Sequence, residues 1–123
     1  MEKPELGAVQ ARFADLVWAH APLPSGELVK LCRTDLGWSK STTYTVLRKL
    51  CEKGLFRNQN GTVSPLLSRE EYYATRGERF VEGGFYGSLP AFVAAFLSRK
   101  TVTEPEAEEI RRMIDAYLRE EQT

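Results

Sequence analysis

The chain has 123 residues, 42% of them hydrophobic and 28% charged, with a formal net charge of zero. That length suits one ordinary domain, or two small lobes sharing one core. Neutrality argues against a general nucleic-acid coat protein, and no apolar run approaches the roughly 20 residues that a membrane-spanning helix needs.

The segment Met1–Glu5 lacks the basic-then-apolar layout of a secretory leader, so a cytoplasmic location without membrane insertion is expected. Charge is unevenly spread. Between Trp38 and Arg57, Lys40, Arg48, Lys49, Lys53 and Arg57 stand against Glu52 alone, a balance of +4. From Glu104 to Glu121, seven acids stand against Arg111, Arg112 and Arg119, a balance of −4. A basic stretch in the first half and an acidic one at the end imply separate tasks.

In chain order, Leu6, Val9, Phe13, Leu16 and Val17 fall at steps of three and four, which predicts an amphipathic helix over 6–19, closed by Trp18. The sequence HAPLPSG predicts a loop, and Ser25 the N-cap of a short helix that turns Leu28, Val29 and Cys32 inward. That helix fades by Leu36-Gly37. A third helix is predicted from about Ser39 to Lys53, with Thr43, Val46, Leu47 and Leu50 buried and Gly54 terminating it. The period then changes. Residues 55–67 read as a β-hairpin about Asn60-Gly61, a dipeptide that tolerates positive φ at both positions. Pro65 predicts an edge strand, or one that ends early.

Ser68 with Glu71 is a capping-box signature opening a helix over about 69–81. EGGFYG predicts a break, Ser88 and Pro90 a new helix start, and Thr103 with Glu106 a second capping box. The predicted architecture is mainly α with a small β-hairpin wing. It comprises a winged helix-turn-helix domain over residues 1–67 and a helical region over 68–123. The later helices are too few and too apolar to form an independent core. Phe85, Phe92, Val93, Phe96, Leu97, Ile110, Met113, Ile114 and Tyr117 are therefore expected to meet a second copy of the chain.

In helix-turn-helix proteins the second helix of the motif enters the major groove and presents short or planar polar side chains to base edges. Ser41, Thr42, Tyr44 and Thr45 are the candidates here. Lys40, Arg48, Lys49 and, on the wing, Arg57 are candidates for phosphate contact. The structural alternative is an N-capping Ser39 followed by a solvated basic face. For Thr43, a core position is favoured over contact.

Other function classes find less support. A winged-helix module that docks proteins without reading DNA is the main alternative. An enzyme is hard to assemble, because His20 is the single histidine and Gly83-Gly84 is too short for a phosphate loop. Cys32 and Cys51 form no CxxC or CxC pair, so neither metal nor cofactor is expected. Both read as small apolar residues. Cys51 also invites a redox reading, since Lys49 and Lys53 could lower its pKa.

Trp38-Ser39 with Thr42, Tyr44, Thr45 and LRKLCEKGL resembles the recognition helix of the BlaI/MecI/CopY family of bacterial repressors. LSREEYYATRGERFVEGGFYGSLPAFVAAFL is similar to that family's connecting and dimerisation helices, and VTEPEAEEIRRMIDAYL to its final acidic helix. Leu6 to Trp18 resembles its first helix. The resemblance implies a homodimer with one winged domain on each half of a palindromic double-stranded operator. In the antibiotic-sensing members, a membrane sensor-protease pathway ends in cleavage of an Asn-Phe bond in the dimerisation helices. The corresponding position here is Ala95-Phe96, which lacks the Asn. The copper-responsive branch carries a C-terminal CxC pair, and this chain has no cysteine after Cys51.

Overall fold

The computed structural model describes residues 6–121. Its elements in order are α1 (Ala8–His20), β1 (Leu23–Pro24), α2 (Ser25–Leu36), α3 (Lys40–Glu52), β2 (Phe56–Gln59), β3 (Thr62–Pro65), α4 (Arg69–Phe85), α5 (Leu89–Leu97) and α6 (Glu104–Glu121). Three helices and a hairpin form a winged helix-turn-helix, and three more helices follow. Two compact units result, one ending at Gly77 and the other starting at Glu78.

In the first unit each helix buries a stripe at helical spacing: Phe13, Ala14 and Val17 from α1, Leu28, Val29 and Cys32 from α2, and Thr43, Leu47 and Leu50 from α3. Leu55, Phe56 and Val63 close the core from the sheet side. Phe13 stacks on Trp38 with ring centroids 5.5 Å apart, which anchors the turn between α2 and α3. Val46, expected in the buried stripe, is only half-buried. Val9 of α1 is exposed.

The sheet departs from the expected two-stranded wing. It has three antiparallel strands in the order β1-β3-β2, with Leu23 opposite Val63 and Pro24 opposite Thr62. A strand therefore lies inside the predicted loop. Pro65 is the last residue of the central strand, opposite Phe56. Its missing N–H falls where pairing ends. The hairpin turn is as expected, with φ 55° at Asn60 and 80° at Gly61.

The first turns of α4 belong to the winged unit because their aromatic side chains pack there. Tyr72 is buried, Trp18 lies 6.0 Å from Tyr72 and 5.4 Å from Phe56, and Trp18 Nε1 donates to the Leu67 carbonyl at 2.9 Å. Ser68 and Glu71 form a reciprocal capping box, the Ser68 N–H donating to Glu71 at 2.8 Å and the Glu71 N–H to Ser68 Oγ at 3.0 Å. The helix runs on through Gly83-Gly84 to Phe85, beyond the expected end near Val81.

The second unit contains no buried residue among those described. It has an aromatic cluster, in which Phe92 lies 5.8 Å from Phe80, 5.5 Å from Phe85 and 6.1 Å from Phe96. Around it, Val93, Phe96, Leu97, Ile110, Met113, Ile114, Tyr117 and Leu118 are all more than two-fifths exposed. An apolar groove of ≈ 430 Å³ runs along Phe92, Val93, Phe96, Leu97, Val102, Ala107 and Ile110. Thr103 and Glu106 cap α6 reciprocally, at 3.0 and 3.2 Å. No single helix among the described residues is long and apolar enough to cross a membrane.

Urea unfolding followed by circular dichroism is expected to separate two roles in α3. Leu50→Ala removes a fully buried side chain and lowers stability by about 2–5 kcal/mol. Ser39→Ala removes only a cap and lowers it by about 1 kcal/mol. Equal losses would contradict this division.

Candidate nucleic-acid interface

The α3 helix begins with one hydroxyl cap. Ser39 Oγ accepts the Thr42 N–H at 3.1 Å and donates to Thr42 Oγ1 at 3.1 Å. Thr43 is 1% exposed and satisfies its buried hydroxyl on the Ser39 carbonyl at 3.0 Å. Two of the hydroxyls in this segment are thus used in building the helix.

Burying Thr43, Leu47 and Leu50 fixes the rotation of α3. At about 100° per residue, Ser41, Thr45 and Arg48 fall opposite that stripe, flanked by Thr42 and Lys49 on one side and by Tyr44 on the other, while Lys40 lies nearer the stripe and is exposed because it starts the helix. Lys40, Ser41, Thr42, Arg48 and Lys49 are exposed, while Tyr44 and Thr45 are half-buried. Glu52 shares the face near its C-terminal end, so the basic character is concentrated earlier along the helix.

Arg57 is exposed on β2, followed by the polar and exposed Asn58, Gln59 and Asn60. None of Lys40, Arg48, Lys49 and Arg57 forms an ion pair with a described residue. Three cations elsewhere are paired, Lys30 with Glu27 at 3.4 Å, Arg69 with Asp15 at 2.9 Å, and Arg111 with Glu108 at 3.2 Å. Lys53, the fifth cation of the basic stretch, reaches Gln10 Oε1 at 3.4 Å. Exposed and unpaired cations around a hydroxyl-bearing helix start can meet phosphates without first breaking an ion pair.

Tyr44 differs from the other candidates. Its hydroxyl shares a 2.8 Å hydrogen bond with Ser25 Oγ, and its ring packs against the core. Ser25 is the first residue of α2 and not its cap; Pro24 holds the cap position, with no side-chain cap bond. The expected capping role is therefore replaced by a contact made 19 residues along the chain. Local sequence carries no signal for such a pairing.

Cys32 is a buried free thiol and Cys51 a half-buried one. Burial, the largest effect, pushes the Cys51 thiol up; a backbone hydrogen bond at Asn58 opposes this and Glu52 reinforces it. This reverses the sense in which Lys49 and Lys53 were expected to act. Burial likewise raises Cys32, against a hydrogen bond to Thr43. His20 Nδ1 lies 2.9 Å from the Leu16 carbonyl, in the last turn of α1. Among the described residues, no three His, Cys, Asp or Glu side chains are placed to share a metal ion.

The penicillinase repressor family model matches residues 6–116, which takes in every element from α1 to α5 and most of α6. The chain belongs to the penicillinase repressor family. It is similar to a penicillinase repressor of Bacillus licheniformis, with 22% identity over 118 residues that cover 93% of this chain and 92% of that protein. Membership makes this a DNA-binding regulator of transcription, in a family of repressors and not of enzymes. The matched span covers the winged unit and the helical unit together, so the likeness is not confined to the helix-turn-helix.

A raised thiol pKa leaves less thiolate at neutral pH. At pH 7.5 iodoacetamide is expected to label Cys51 more slowly than free cysteine, with the rate rising as the pH is raised. Labelling at or above the free-cysteine rate, read by intact mass, would restore the sensor reading.

Proposed function

We propose that this protein is a sequence-specific repressor that binds a palindromic operator as a homodimer, with α3 in the major groove of each half-site and the wing beside it. The observation that carries this reading is the contrast between the two units. One has a complete core and an outward face of hydroxyls and unpaired cations. The other has no buried residue among those described and a broad exposed apolar face. Monomeric soluble proteins rarely leave so many large apolar side chains uncovered.

In this reading Ser41, Thr42 and Thr45 face base edges, and Lys40, Arg48, Lys49 and Arg57 hold phosphates. A single winged domain with four such cations binds DNA weakly, with a non-specific dissociation constant on the order of 10⁻⁴ to 10⁻⁶ M. Joining two readers makes the second half-site contact intramolecular and raises avidity by roughly 10² to 10⁴. Separation of the protomers is then sufficient for release from DNA.

Phe92, Val93, Phe96 and Leu97 on α5, with Ile110, Met113, Ile114 and Tyr117 on α6, form the proposed dimer surface, together with Phe85 from the end of α4. Proteolysis through a membrane sensor pathway is one route to separation. The Ala95-Phe96 bond lies inside α5, so cleavage there requires the last helical turn to unwind first. The acidic α6 is repelled by phosphates and lies away from the DNA in this arrangement.

Mobility shifts on DNA from the region upstream of the protein's own gene, at two salt concentrations, test the reading. Wild type is expected to bind with strong salt dependence, and Lys49→Ala to weaken binding to every sequence and lower the salt slope by about one. In sedimentation equilibrium Ile114→Glu is expected to run as a monomer and lose on the order of 10²-fold or more in operator affinity. Salt-independent or absent DNA binding by wild type would favour the protein-docking module. A monomeric wild type that binds as tightly as proposed would remove the dimer.

A further inference from the structure

Ser25 lies where three DNA-side elements meet. Its side-chain oxygen is 2.8 Å from the Tyr44 hydroxyl on the flank of α3. Its backbone N–H donates to the Gly61 carbonyl at 2.8 Å, in the turn at the tip of the wing. Immediately before it, Leu23 and Pro24 pair with Val63 and Thr62 of β3. One residue thus joins the start of α2, the face of α3 and the hairpin turn.

The position of Tyr44 explains why it, and not a neighbour, reaches Ser25. It falls on the side of α3 away from Thr42 and Lys49, with its ring partly covered by the core. To contact a base edge the phenol would have to leave both the Ser25 hydroxyl and that apolar cover. Ser25, for its part, is the first residue of α2, whose cap position is held by Pro24.

We infer that Tyr44 and Ser25 are positioning residues, a hydrogen-bonded strut that sets the wing tip and the start of α2 against the recognition helix. This rests on the reading that α3 meets DNA, and within it Tyr44 passes from the base-reading set to the supporting one. Without the strut, the wing tip and the α2 start sample more arrangements in the free protein, and binding has to reorder them. The resulting loss of affinity falls on all operators alike, because no base contact is removed.

The test uses the full chain, an operator enriched from a random DNA pool by wild type, and the variants Tyr44→Phe, Ser25→Ala and their combination. A net hydrogen bond contributes about 0.5–1.5 kcal/mol, so each single change is expected to weaken binding roughly 2- to 10-fold. Base preferences in the random pool stay unchanged, the double variant binds no worse than the weaker single one, and Ser25→Thr restores affinity. Amide exchange at Ser25, measured by NMR in the absence of DNA, is expected to accelerate in both single variants. A preference change at one base pair in Tyr44→Phe that is absent from Ser25→Ala would overturn the inference. So would additive losses, or wild-type affinity in Ser25→Ala. If wild type binds no DNA, the DNA reading falls, and Ser25 exchange alone then decides whether the strut exists.

Discussion

The rotation of α3 about its own axis governs the rest of the structure. Thr43, Leu47 and Leu50 form the buried stripe of α3, and none of the three is more than 2% exposed. A helix seated on three buried positions cannot roll without exposing apolar surface, at about 25 cal/mol for each Å². The Thr43 hydroxyl can be buried in that seat because it bonds the Ser39 carbonyl at the start of the same helix. Which residues reach solvent, and in what order around the helix, follows from this seating.

The wing and the helix-turn-helix are held to the same frame by aromatic contacts that bridge sequence-distant elements. Phe13 against Trp38 ties α1 to the α2–α3 turn. Trp18 ties α1 to β2 through Phe56 and to α4 through Tyr72. Arg69 adds a contact over the Tyr73 ring at 4.7 Å and an ion pair to Asp15. Both partners of that ion pair are about half exposed, so it contributes little to stability. Its geometric effect is to fix the first turn of α4 on the winged unit.

Much of this was legible in the sequence wherever the determinant is local. Ser39 as a cap, Thr43 as core, the Asn60-Gly61 turn and both capping boxes each depend on residues a few positions apart. Structure and sequence expectation part where the determinant is distant. Strand β1 has only two residues, and its existence depends on Val63 and Thr62 some forty positions later. Ser25 looked like a cap because its hydroxyl partner lies on another helix. Gly83 and Gly84, each unfavourable in a helix by about 1 kcal/mol, suggested that α4 stops early. The helix nonetheless continues to Phe85, whose ring packs on Phe80 and Phe92. The cationic neighbours of Cys51 in sequence point to a lowered pKa, while its burial, visible only in the fold, raises it. The outward residues of α3 could be named from periodicity alone, because the buried stripe at Thr43, Leu47 and Leu50 is itself local.

The two-residue strand β1 also bears on how this molecule avoids the wrong kind of association. A three-stranded sheet has two open edges, each a template for another chain's backbone. Here one edge is β1, too short for a ladder and ending in Pro24, which has no N–H to offer. The other is β2, whose exposed side chains are Arg57, Asn58 and Gln59, charged or strongly hydrated. Continuous β-stacking between copies is thereby blocked at both ends. A protein with a large uncovered apolar surface in one unit is at risk of fibrous assembly if a sheet edge in the other is also open. With both edges blunted, the sheet supplies no template from which such an assembly could propagate.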